Sequence, residues 1–568
     1  MAEYKNIIDE LRNKGLTMVP LNILKKESDT YVMSLMQPSG KVQISDTEVK
    51  NHVSNNAVEK FTNFLNNAYE SRNQLVITPE YSCPFEVIQN CINNSILPME
   101  GAIWVLGCES ISFDSLIEFV NHNSTTEFIY EVPDIRDERY FFSPVCYIFN
   151  TKDTSGILKR TIVIQFKTEH MHDTDNELEI SHLIKGKIRY WICNDQNSIQ
   201  LSALMCAEAL ESNPIPEMEE HKSYLITHLQ LNTKPFNPSF AHYRKDLFRS
   251  NDNIEIISLN WAKGFQIGEN VASSYGGSAI YTKAEKVKLT DERINENHKK
   301  GVYYSFENDM KYSIFNLNYN EHVFKLKNYN LLQTSHIPLR QTRLGIETRS
   351  TLEWKDSLGW IECLVCNDKW NEYLTPLISI SELPLTQSSP IAKERFLSLS
   401  SGNIHGNLSW SSPKILDSFN VDRDGICNHF SVYDNITNKE YVRQKIQKVV
   451  TLNRDFIITP TIEYPEKFKE LYNNCKLVAP EEKSLCQFNV YKENDKFPAT
   501  FVYAGEISKK EAQEVFDKTS NALECAKRRL VIWYMDSLDG NNKYIYDEKT
   551  PKVDEDCSKT SIAIDKED

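Results

Sequence analysis

The stretch Ser198-Ile-Gln-Leu-Ser-Ala-Leu-Met205 is a short, mainly apolar run that ends directly at Cys206. A run of this length, followed by the small and acidic residues Ala207-Glu-Ala209, is typical of a strand buried in a sheet. A thiol becomes a nucleophile when neighbouring groups favour its thiolate, and the end of a buried strand can place such groups beside it. Cys206 is therefore the candidate nucleophile.

Two further apolar runs also end at an ionisable residue. Gln74-Leu-Val-Ile-Thr-Pro79 precedes Glu80, and Arg160-Thr-Ile-Val-Ile-Gln-Phe166 precedes Lys167. A carboxylate can take the proton of a thiol, and a buried ammonium can stabilise the oxyanion that forms when the thiolate attacks a carbonyl or nitrile carbon. Simpler interpretations remain open, since a buried cysteine can be core filler, the glutamate a solvated turn residue and the lysine a surface anchor.

The order Glu, Lys, Cys, each after an apolar run, resembles the carbon-nitrogen hydrolase (nitrilase) superfamily. The resemblance extends over about residues 15–330. Further segments that are similar to the family's strands are Gly101-Ala-Ile-Trp-Val-Leu-Gly107, Ser223-Tyr-Leu-Ile-Thr-His-Leu-Gln-Leu-Asn232, Ile254-Glu-Ile-Ile-Ser-Leu-Asn260 and Tyr275-Gly-Gly-Ser-Ala-Ile280. The fold that it implies is α/β, a four-layer α-β-β-α sandwich with the catalytic residues at one end of its two sheets.

The resemblance also implies a set of site residues. The catalytic residues would be Glu80, Lys167 and Cys206. The supporting positions are a second carboxylate, best matched by Glu177 within residues 169–179, the backbone N-H of Ala207 as an oxyanion donor, Glu208 where the family more often has Asp, and the strand-end amides Asn232 and Asn260. The interval between Glu80 and Lys167 is long for the family, and extra chain around residues 113–140 would explain it.

The implied function is hydrolysis of a carbon-nitrogen bond in a small-molecule amide, N-carbamoyl compound or nitrile through a Cys206 thioester, without a cofactor. Family members commonly form homo-oligomers, which is the expected state here. The alternative is a nitrilase-fold protein that binds a ligand or scaffolds a complex, including a bacterial complex of the antiviral-defence type. Retention of all three residue types favours the enzyme, since a scaffold does not need a buried lysine near a buried thiol and carboxylate.

A chain of 568 residues is longer than one core normally supports, so two or more domains are expected. The predicted boundaries are a nitrilase-like domain over residues 1–335, a smaller α+β domain over 345–536, and an acidic, disordered tail over 537–568. In the second domain, a helix is predicted from Lys509 to about Leu530, with Ser508 and Glu511 in a capping-box pattern. This domain is a candidate for binding a protein partner.

Composition and charge exclude several classes of protein. A net charge of −15 argues against a nucleic-acid-binding surface over the whole chain. The sequence has no apolar run of membrane-spanning length, and its start lacks the layout of a signal peptide, so we expect a cytoplasmic protein. The thirteen cysteines are scattered and odd in number, which argues against a disulfide framework. Cys363-Leu-Val-Cys366 with Cys427 and His429 lacks the spacing of a zinc site, so no metal is predicted.

Overall fold

The computed structural model describes most of the first two thirds of the chain and parts of the rest. The described residues are 2–329, except 27–29, 46, 133–134, 171–176, 212–214, 216–217, 220–221, 234, 236–237, 252, 269, 272–276, 284–292, 294–295, 298–299 and 308–311, and then 345–363, 396–402 except 398, 439–458, 475–477, 489–491, 499–522 and 530–546. The chain divides into two compact units, residues 1–287 with 310–364 and residues 288–309 with 365–568. The fold is of mixed α/β type.

Twenty-seven strands and eight α-helices lie in the described residues. The strands are β1 Glu3–Asn6, β2 Leu16–Met18, β3 Tyr31–Gln37, β4 Lys41–Ser45, β5 Glu48–Asn51, β6 Leu75–Cys83, β7 Ile103–Cys108, β8 Thr126–Tyr130, β9 Pro144–Asp153, β10 Leu158–Phe166, β11 Ile188–Trp191, β12 Gln200–Met205, β13 Tyr224–Leu229, β14 Ile254–Leu259, β15 Gln266–Ile267, β16 Asn270–Val271, β17 Ala279–Lys283, β18 Val302–Glu307, β19 Tyr312–Leu317, β20 His322–Asn328, β21 Ile346–Lys355, β22 Gly359–Glu362, β23 Lys476–Leu477, β24 Val490–Tyr491, β25 Thr500–Ile507, β26 Leu530–Asp536 and β27 Asn542–Tyr546. The helices are α1 Ile7–Asn13, α2 Ala57–Glu70, α3 Phe85–Asn93, α4 Phe113–His122, α5 Glu177–His182, α6 Pro238–Ser250, α7 Lys439–Thr451 and α8 Lys509–Ala522.

The first unit contains a large mixed sheet in the order β22-β21-β20-β3-β6-β7-β9-β10-β8, with β2 paired to β9. Strands β3, β6 and β7 run parallel, and β9 is antiparallel to both β7 and β10. The strands are nearly continuous apolar runs because both faces are covered. Helices α2, α3 and α4 present an apolar stripe to one face, and Phe61, Val87 and Leu116 pack there with Trp104 and Leu106 of β7.

A second sheet in this unit has the order β12-β13-β14-β17-β19. Strands β12, β13 and β14 are parallel, so their carboxyl ends lie at the same edge. That edge carries Cys206 after β12 and Leu231 shortly after β13. Helix α6 packs on this sheet, where Phe248 stacks on Tyr312 with ring centroids 4.5 Å apart.

The two sheets contact each other through polar as well as apolar groups. Gln165 of β10 donates to the carbonyl of Ala203 at 2.9 Å, and the Ala203 N-H donates to the Tyr147 hydroxyl at 2.8 Å. Farther along, the Tyr31 hydroxyl donates to Glu255 Oε1 at 2.8 Å. These contacts hold the end of β10 against the end of β12, which brings Lys167 towards Cys206.

The region between Glu80 and Lys167 has the extra chain expected there. Residues 113–140 contain α4 and the strand β8, which lies at one end of the first sheet and pairs with β10. The insertion thus extends the sheet beyond the strand that carries Lys167.

Several predicted boundaries are wrong. The first unit continues past residue 335, because β21 and β22 pair onto its large sheet. The tail predicted to be disordered from residue 537 contains β27, which pairs with β26. Strand β20 lies between β3 and β21, so the large sheet continues from β20 through β21 to β22.

Helix α8 begins as predicted, with Ser508 and Glu511 in a reciprocal capping box, and its described part is Lys509–Ala522, whereas residues 523–529 lie outside the described residues. The segment that begins at Leu530, where the helix was predicted to end, is the strand β26. This strand belongs to the second unit's sheet β25-β26-β27, whose apolar core includes Val502, Ala512 and Ile532. Within the described residues, no helix has both the length and the apolar character needed to cross a membrane.

Candidate active site

Glu80 and Lys167 form an ion pair inside the first unit. Lys167 Nζ lies 2.8 Å from Glu80 Oε1. Glu80 is within β6, and Lys167 directly follows β10. Both side chains are buried, with exposed fractions of 2% and 1%. A buried charge is stable only when it is paired, so each side chain fixes the position of the other.

The second carboxylate on Lys167 is Glu179. Lys167 Nζ donates to Glu179 Oε1 at 2.8 Å and to Oε2 at 3.0 Å. Glu179 also accepts a hydrogen bond from the Tyr81 hydroxyl at 2.8 Å. The prediction had placed this carboxylate at Glu177, whose side chain lies outside the described part of the structure. Both residues are on α5, and spacing from Lys167 alone could not single out Glu179, because its contact with the lysine depends on how that helix packs.

Cys206 begins a short 3-10 helix, Cys206–Leu210, directly after β12. Its φ of 39° lies in the left-handed region, which is uncommon for a residue other than glycine and is found where the surrounding structure imposes it. The residue is fully buried. Such a sharp turn separates the thiol from its own strand and aims it at the neighbouring elements.

Leu231 and the charged side chains both act on the surroundings of Cys206. The Leu231 backbone N-H donates to Glu80 Oε2 at 3.2 Å. Burial and then the charge of Glu80 raise the pKa of Cys206, and the Leu231 backbone has a smaller, lowering effect. Lys167 and Glu179 act on the same thiol through their charges. The structure therefore places Glu80, Lys167 and Cys206 in one buried cluster, together with Glu179.

The charges of this cluster are unevenly balanced. Burial raises the pKa of Glu80 to about 7, with Lys167 lowering it and Glu179 raising it. Burial acts to lower the pKa of Lys167, but Glu179 and Glu80 outweigh this effect and hold it well above its usual range. Burial, followed by the charge of Glu80, raises the pKa of Cys206 well above its usual range. At neutral pH the arrangement is thus a thiol beside a carboxyl that titrates near 7, with a permanently charged ammonium between two carboxylates.

Glu208 holds the turn of Cys206 against the turn of Lys167. Its Oε2 accepts from the Met205 N-H at 2.8 Å, and its Oε1 accepts from the Thr168 N-H at 2.6 Å and the Thr168 hydroxyl at 2.8 Å. Arg189 lies 3.6 Å from the same carboxylate and also contacts Glu211. Glu208 is completely buried, and its hydrogen bonds join the residue before Cys206 to the residue after Lys167.

Asn232 and Asn260 bond to each other at the ends of β13 and β14. The Asn232 N-H donates to Asn260 Oδ1 at 3.0 Å, and Asn260 Nδ2 donates to the Asn232 carbonyl at 2.8 Å. The Asn260 N-H donates to the Ser278 hydroxyl at 2.9 Å. This pair fixes the backbone segment that contains Leu231. Both asparagines therefore support the cluster indirectly, through that segment.

His228 was missed by the sequence-based prediction. It is buried on β13, and its Nε2 donates to the carbonyl of Cys206 at 3.0 Å. Burial lowers the pKa of His228 to about 3, with Arg244 lowering it further and the Cys206 carbonyl raising it, so the ring is neutral at ordinary pH. In the sequence His228 stands inside an apolar strand, and nothing in that pattern connects it with Cys206.

Apolar side chains surround the cluster. Tyr81, Leu231 and Trp261 belong to one buried group, and the indole N-H of Trp261 donates to the Glu80 carbonyl at 2.9 Å. The remaining buried members are Val42, Val49, Phe141, Leu183 and Phe265. A cavity of about 1100 Å³, lined by residues that include Asn51, Phe113 and Arg136, does not include Glu80, Lys167 or Cys206 in its lining.

The predicted absence of a metal site concerns residues that are only partly described. Among the described residues, no group of three or more His, Cys, Asp or Glu side chains is arranged to hold a metal ion. Cys363 is described, whereas Cys366, Cys427 and His429 lie outside the described residues. The same holds for most of the loop after Lys167, residues 171–176.

Comparison with solved structures finds chains of low sequence identity that are similar to this one. A glutamine-dependent NAD+ synthetase from Acinetobacter baumannii, in complex with ADP, aligns with 53% of this chain and 45% of its own length, at 10% identity and a TM-score of 0.32. An amidase from Nesterenkonia sp. aligns with 44% of this chain and 81% of its own, at 14% identity and a TM-score of 0.25. A mutant of the Nesterenkonia AN1 amidase, a nitrilase-superfamily protein, gives 14% identity over 44% of this chain and 82% of its own, with a TM-score of 0.26.

The chain is thus similar in structure to a nitrilase-superfamily amidase, while it spans less than half of the synthetase. No protein-family model and no curated protein sequence matches it. At identities of 10–14% and TM-scores of 0.25–0.32, these similarities say nothing about substrate or mechanism. The chemistry has to be inferred from the buried cluster.

Proposed function

We propose that the protein hydrolyses a carbon-nitrogen bond in a small-molecule amide, N-carbamoyl compound or nitrile, with Cys206 as nucleophile, Glu80 as general base and Lys167 as oxyanion stabiliser. One observation carries the proposal. Glu80, Lys167 and Glu179 form one buried ion-paired group, with Lys167 Nζ 2.8 Å from both Glu80 Oε1 and Glu179 Oε1, and the charges of this group act on the buried thiol of Cys206. A base with a pKa near 7 beside a thiol and a fixed positive charge is an arrangement suited to covalent acyl transfer.

The proposed reaction on an amide has two halves. Glu80 takes the thiol proton, and Cys206 Sγ bonds to the carbonyl carbon, whose oxygen becomes an oxyanion held by Lys167 and the Ala207 N-H. The oxyanion collapses, the carbon-nitrogen bond breaks, and the amine leaves with the proton from Glu80. Glu80 then takes a proton from water, the hydroxide attacks the thioester, and the acid departs as the thiol regains its proton.

The same proposal extends to the architecture. The helices α2, α3 and α4 pack on one sheet, α6 packs on the other, and the two sheets contact each other. These contacts support a four-layer α-β-β-α sandwich for the first unit. We also propose a homo-oligomeric, cytoplasmic protein that uses no cofactor, with the second unit as a candidate binding surface for another protein.

Ammonia or amine release from a panel of amides, N-carbamoyl compounds and nitriles tests the reaction. We expect Cys206→Ala to abolish turnover with at least one compound that the wild type hydrolyses. Cys91→Ala is the matched control, because Cys91 is also a buried thiol but lies in α3 away from the cluster. A Cys206→Ala protein with wild-type turnover would contradict the proposal.

A ligand-binding or scaffolding role is the second candidate, and the complete burial of Cys206 favours it. A fully buried thiol with a raised pKa is unreactive unless a base takes its proton and a substrate reaches it. The two candidates predict different labelling of the folded protein by iodoacetamide. An enzyme should show faster alkylation at Cys206 than at the buried thiols Cys91 and Cys146, whereas equal, slow rates at all three would favour the binding role.

A further inference from the structure

His228 makes a hydrogen bond that bears on the proposed oxyanion site. Its Nε2-H donates to the Cys206 carbonyl at 3.0 Å. That carbonyl belongs to the same peptide group as the Ala207 N-H, and no cis peptide bond is present among the described residues. In a trans peptide the C=O and N-H point in opposite directions. Fixing the carbonyl therefore fixes the direction of the N-H.

The direction follows from the alternation of side chains on the second sheet. Glu255 faces the first sheet, since it contacts Tyr31 of β3. His228 pairs with Ser258, an odd number of positions from Glu255, and so lies on the opposite face. On that face its ring contacts Phe240 and Tyr243 of α6, each with centroids 5.5 Å away. The Ala207 N-H accordingly points away from α6, towards the first sheet, which carries Glu80 and Lys167.

A chain of hydrogen bonds fixes the imidazole itself. Gln230 Nε2 donates to His228 Nδ1 at 3.2 Å and to the Ser258 hydroxyl at 2.5 Å. Gln230 Oε1 accepts from Asn232 Nδ2 at 3.1 Å, and Asn232 is paired to Asn260. With Nδ1 accepting, the neutral ring carries its proton on Nε2, the atom that faces the Cys206 carbonyl. Hydrogen bonds in such a chain polarise one another, which makes the N-H of the accepting peptide a better donor.

We propose that His228 is a positioning residue that holds the Cys206–Ala207 peptide so that its N-H stabilises the oxyanion. This inference rests on the proposed hydrolysis and adds a residue that acts through the backbone, without contact with substrate. It also gives the left-handed turn at Cys206 a cause, because the bond from His228 stabilises a backbone conformation that is unfavourable by itself. His228 exchanges no proton in the reaction, in keeping with its low pKa.

The test compares His228→Leu and His228→Gln with wild type on an amide that the wild type hydrolyses. Loss of one oxyanion donor typically lowers kcat by about 10²-fold or more, so we expect His228→Leu to lower kcat by about that factor with little change in KM. His228→Gln keeps an N-H donor and should recover most of this loss, with an unchanged pH profile. Tyr243→Phe is the control, because the Tyr243 hydroxyl has no hydrogen-bond partner in the described residues.

Alkylation of Cys206 by iodoacetamide separates positioning of the peptide from general damage, because attack on a saturated carbon forms no oxyanion. We expect His228→Leu to be alkylated at nearly the wild-type rate. Wild-type kcat in His228→Leu, or equal losses in hydrolysis and alkylation, would overturn the inference. Should His228→Leu fail to fold, His228→Gln alone provides the test. A hundredfold loss of kcat in folded His228→Gln would overturn the inference, whereas a kcat of His228→Gln within about tenfold of wild type would support it. A wild type that hydrolyses no compound of the panel overturns the proposed function and this inference together.

Discussion

Lys167 is one positive charge shared by two buried carboxylates, so the cluster of Glu80, Glu179 and Lys167 has one negative charge too many when all three are ionised. In a buried site an uncompensated charge is costly, and a carboxyl responds by holding its proton to higher pH. Glu80 is the carboxyl that holds its proton to higher pH, since burial raises its pKa to about 7. Burial, with a smaller contribution from the charge of Glu179, thus brings the pKa of Glu80 close to neutral pH, where a general base is most effective.

The first prediction concerns pH. Glu80 must be ionised to accept the thiol proton, so kcat/KM should rise as pH increases through about 7. Because Glu179 raises the pKa of Glu80, Glu179→Gln should move this rise to lower pH. The measurement is the pH dependence of kcat/KM for both proteins. Glu131→Gln, which removes an exposed ion pair with Lys5, should leave the profile in place. A profile in Glu179→Gln that moves to higher pH would show that Glu179 does not act on Glu80 by its charge.

The second prediction concerns Glu208. Its carboxylate accepts three hydrogen bonds from Met205 and Thr168 in a fully buried place. Glu208→Gln leaves an amide facing these donors and leaves Arg189 with less compensation, so the free energy of unfolding should fall by about 3 kcal/mol. Glu211→Gln removes a less buried partner of the same arginine and should cost about 1 kcal/mol. Chemical denaturation measures the free energy of unfolding of both variants. Equal losses would mean that Glu208 does not stabilise the fold more than Glu211 does.

At the residue scale, the sequence indicated the side chains that end strands and did not indicate those that act across elements. Glu80, Lys167 and Cys206 follow or close apolar runs, which made them visible as candidates. Glu179 lay within the range 169–179 given for the second carboxylate but was not singled out, and His228 was missed, because the contacts of both side chains depend on how separate elements pack. A hydrogen bond to a backbone carbonyl leaves no pattern in the sequence.

At the element scale, β6 and β7 approach each other unusually closely next to Glu80. A Cβ added to Gly107 would lie 2.2 Å from the Pro79 carbonyl oxygen and 2.8 Å from the Glu80 nitrogen. Both are backbone atoms, so no side-chain rotation can relieve the clash. The absence of a side chain at Gly107 therefore allows β6 and β7 to lie this close together next to Glu80.

The third prediction follows from this spacing. Gly107→Ala must push β6 and β7 apart, so we expect a loss of about 3 kcal/mol in the free energy of unfolding and a fall in kcat. Gly156→Ala is the control, since a Cβ there meets no atom within 4 Å and only the left-handed backbone is penalised, by about 1 kcal/mol. Thermal or chemical unfolding measures the first effect and steady-state kinetics the second. Wild-type kcat in Gly107→Ala would show that Glu80 does not depend on this spacing.

Local periodicity agrees with the type of element where it is strong and does not decide it where an apolar run is short. Residues 57–72 have apolar side chains at helical spacing and contain α2, and residues 84–94 contain α3. Arg454-Asp-Phe-Ile-Ile-Thr459 includes only a short apolar run, and its residues 454–458 lie in a π-helix, Leu452–Ile458. Periodicity cannot decide the type of such a short run, and its neighbours in three dimensions do so instead.

At the scale of the whole molecule, each unit has a hydrophobic core of its own. Leu65 is buried against the large sheet of the first unit, and Ile532 is buried in the core of the second. Separate cores permit separate unfolding. The proposed reaction uses residues of the first unit only.

The fourth prediction tests this separation. Ile532→Ala should destabilise the second unit by about 2–5 kcal/mol while amide hydrolysis at low temperature stays at the wild-type rate. Leu65→Ala is the matched change in the first unit and should destabilise that unit instead. Hydrogen exchange of β26 and β6 amides reports on the two units independently. Equal loss of protection in both strands of Ile532→Ala would mean that the units unfold together.

The sequence by itself determined the apolar runs of the first unit, the residues that end them and the helical pattern between them, because these depend on periodicity and on chemistry within a few residues. Only the tertiary structure decided that Glu179 faces Lys167, that His228 holds the Cys206 carbonyl, and that β21 and β22 complete the large sheet. These features join positions tens or hundreds of residues apart. The physical reason is that packing, register and burial select such partners, and many residues of the same type are equally compatible with the local pattern.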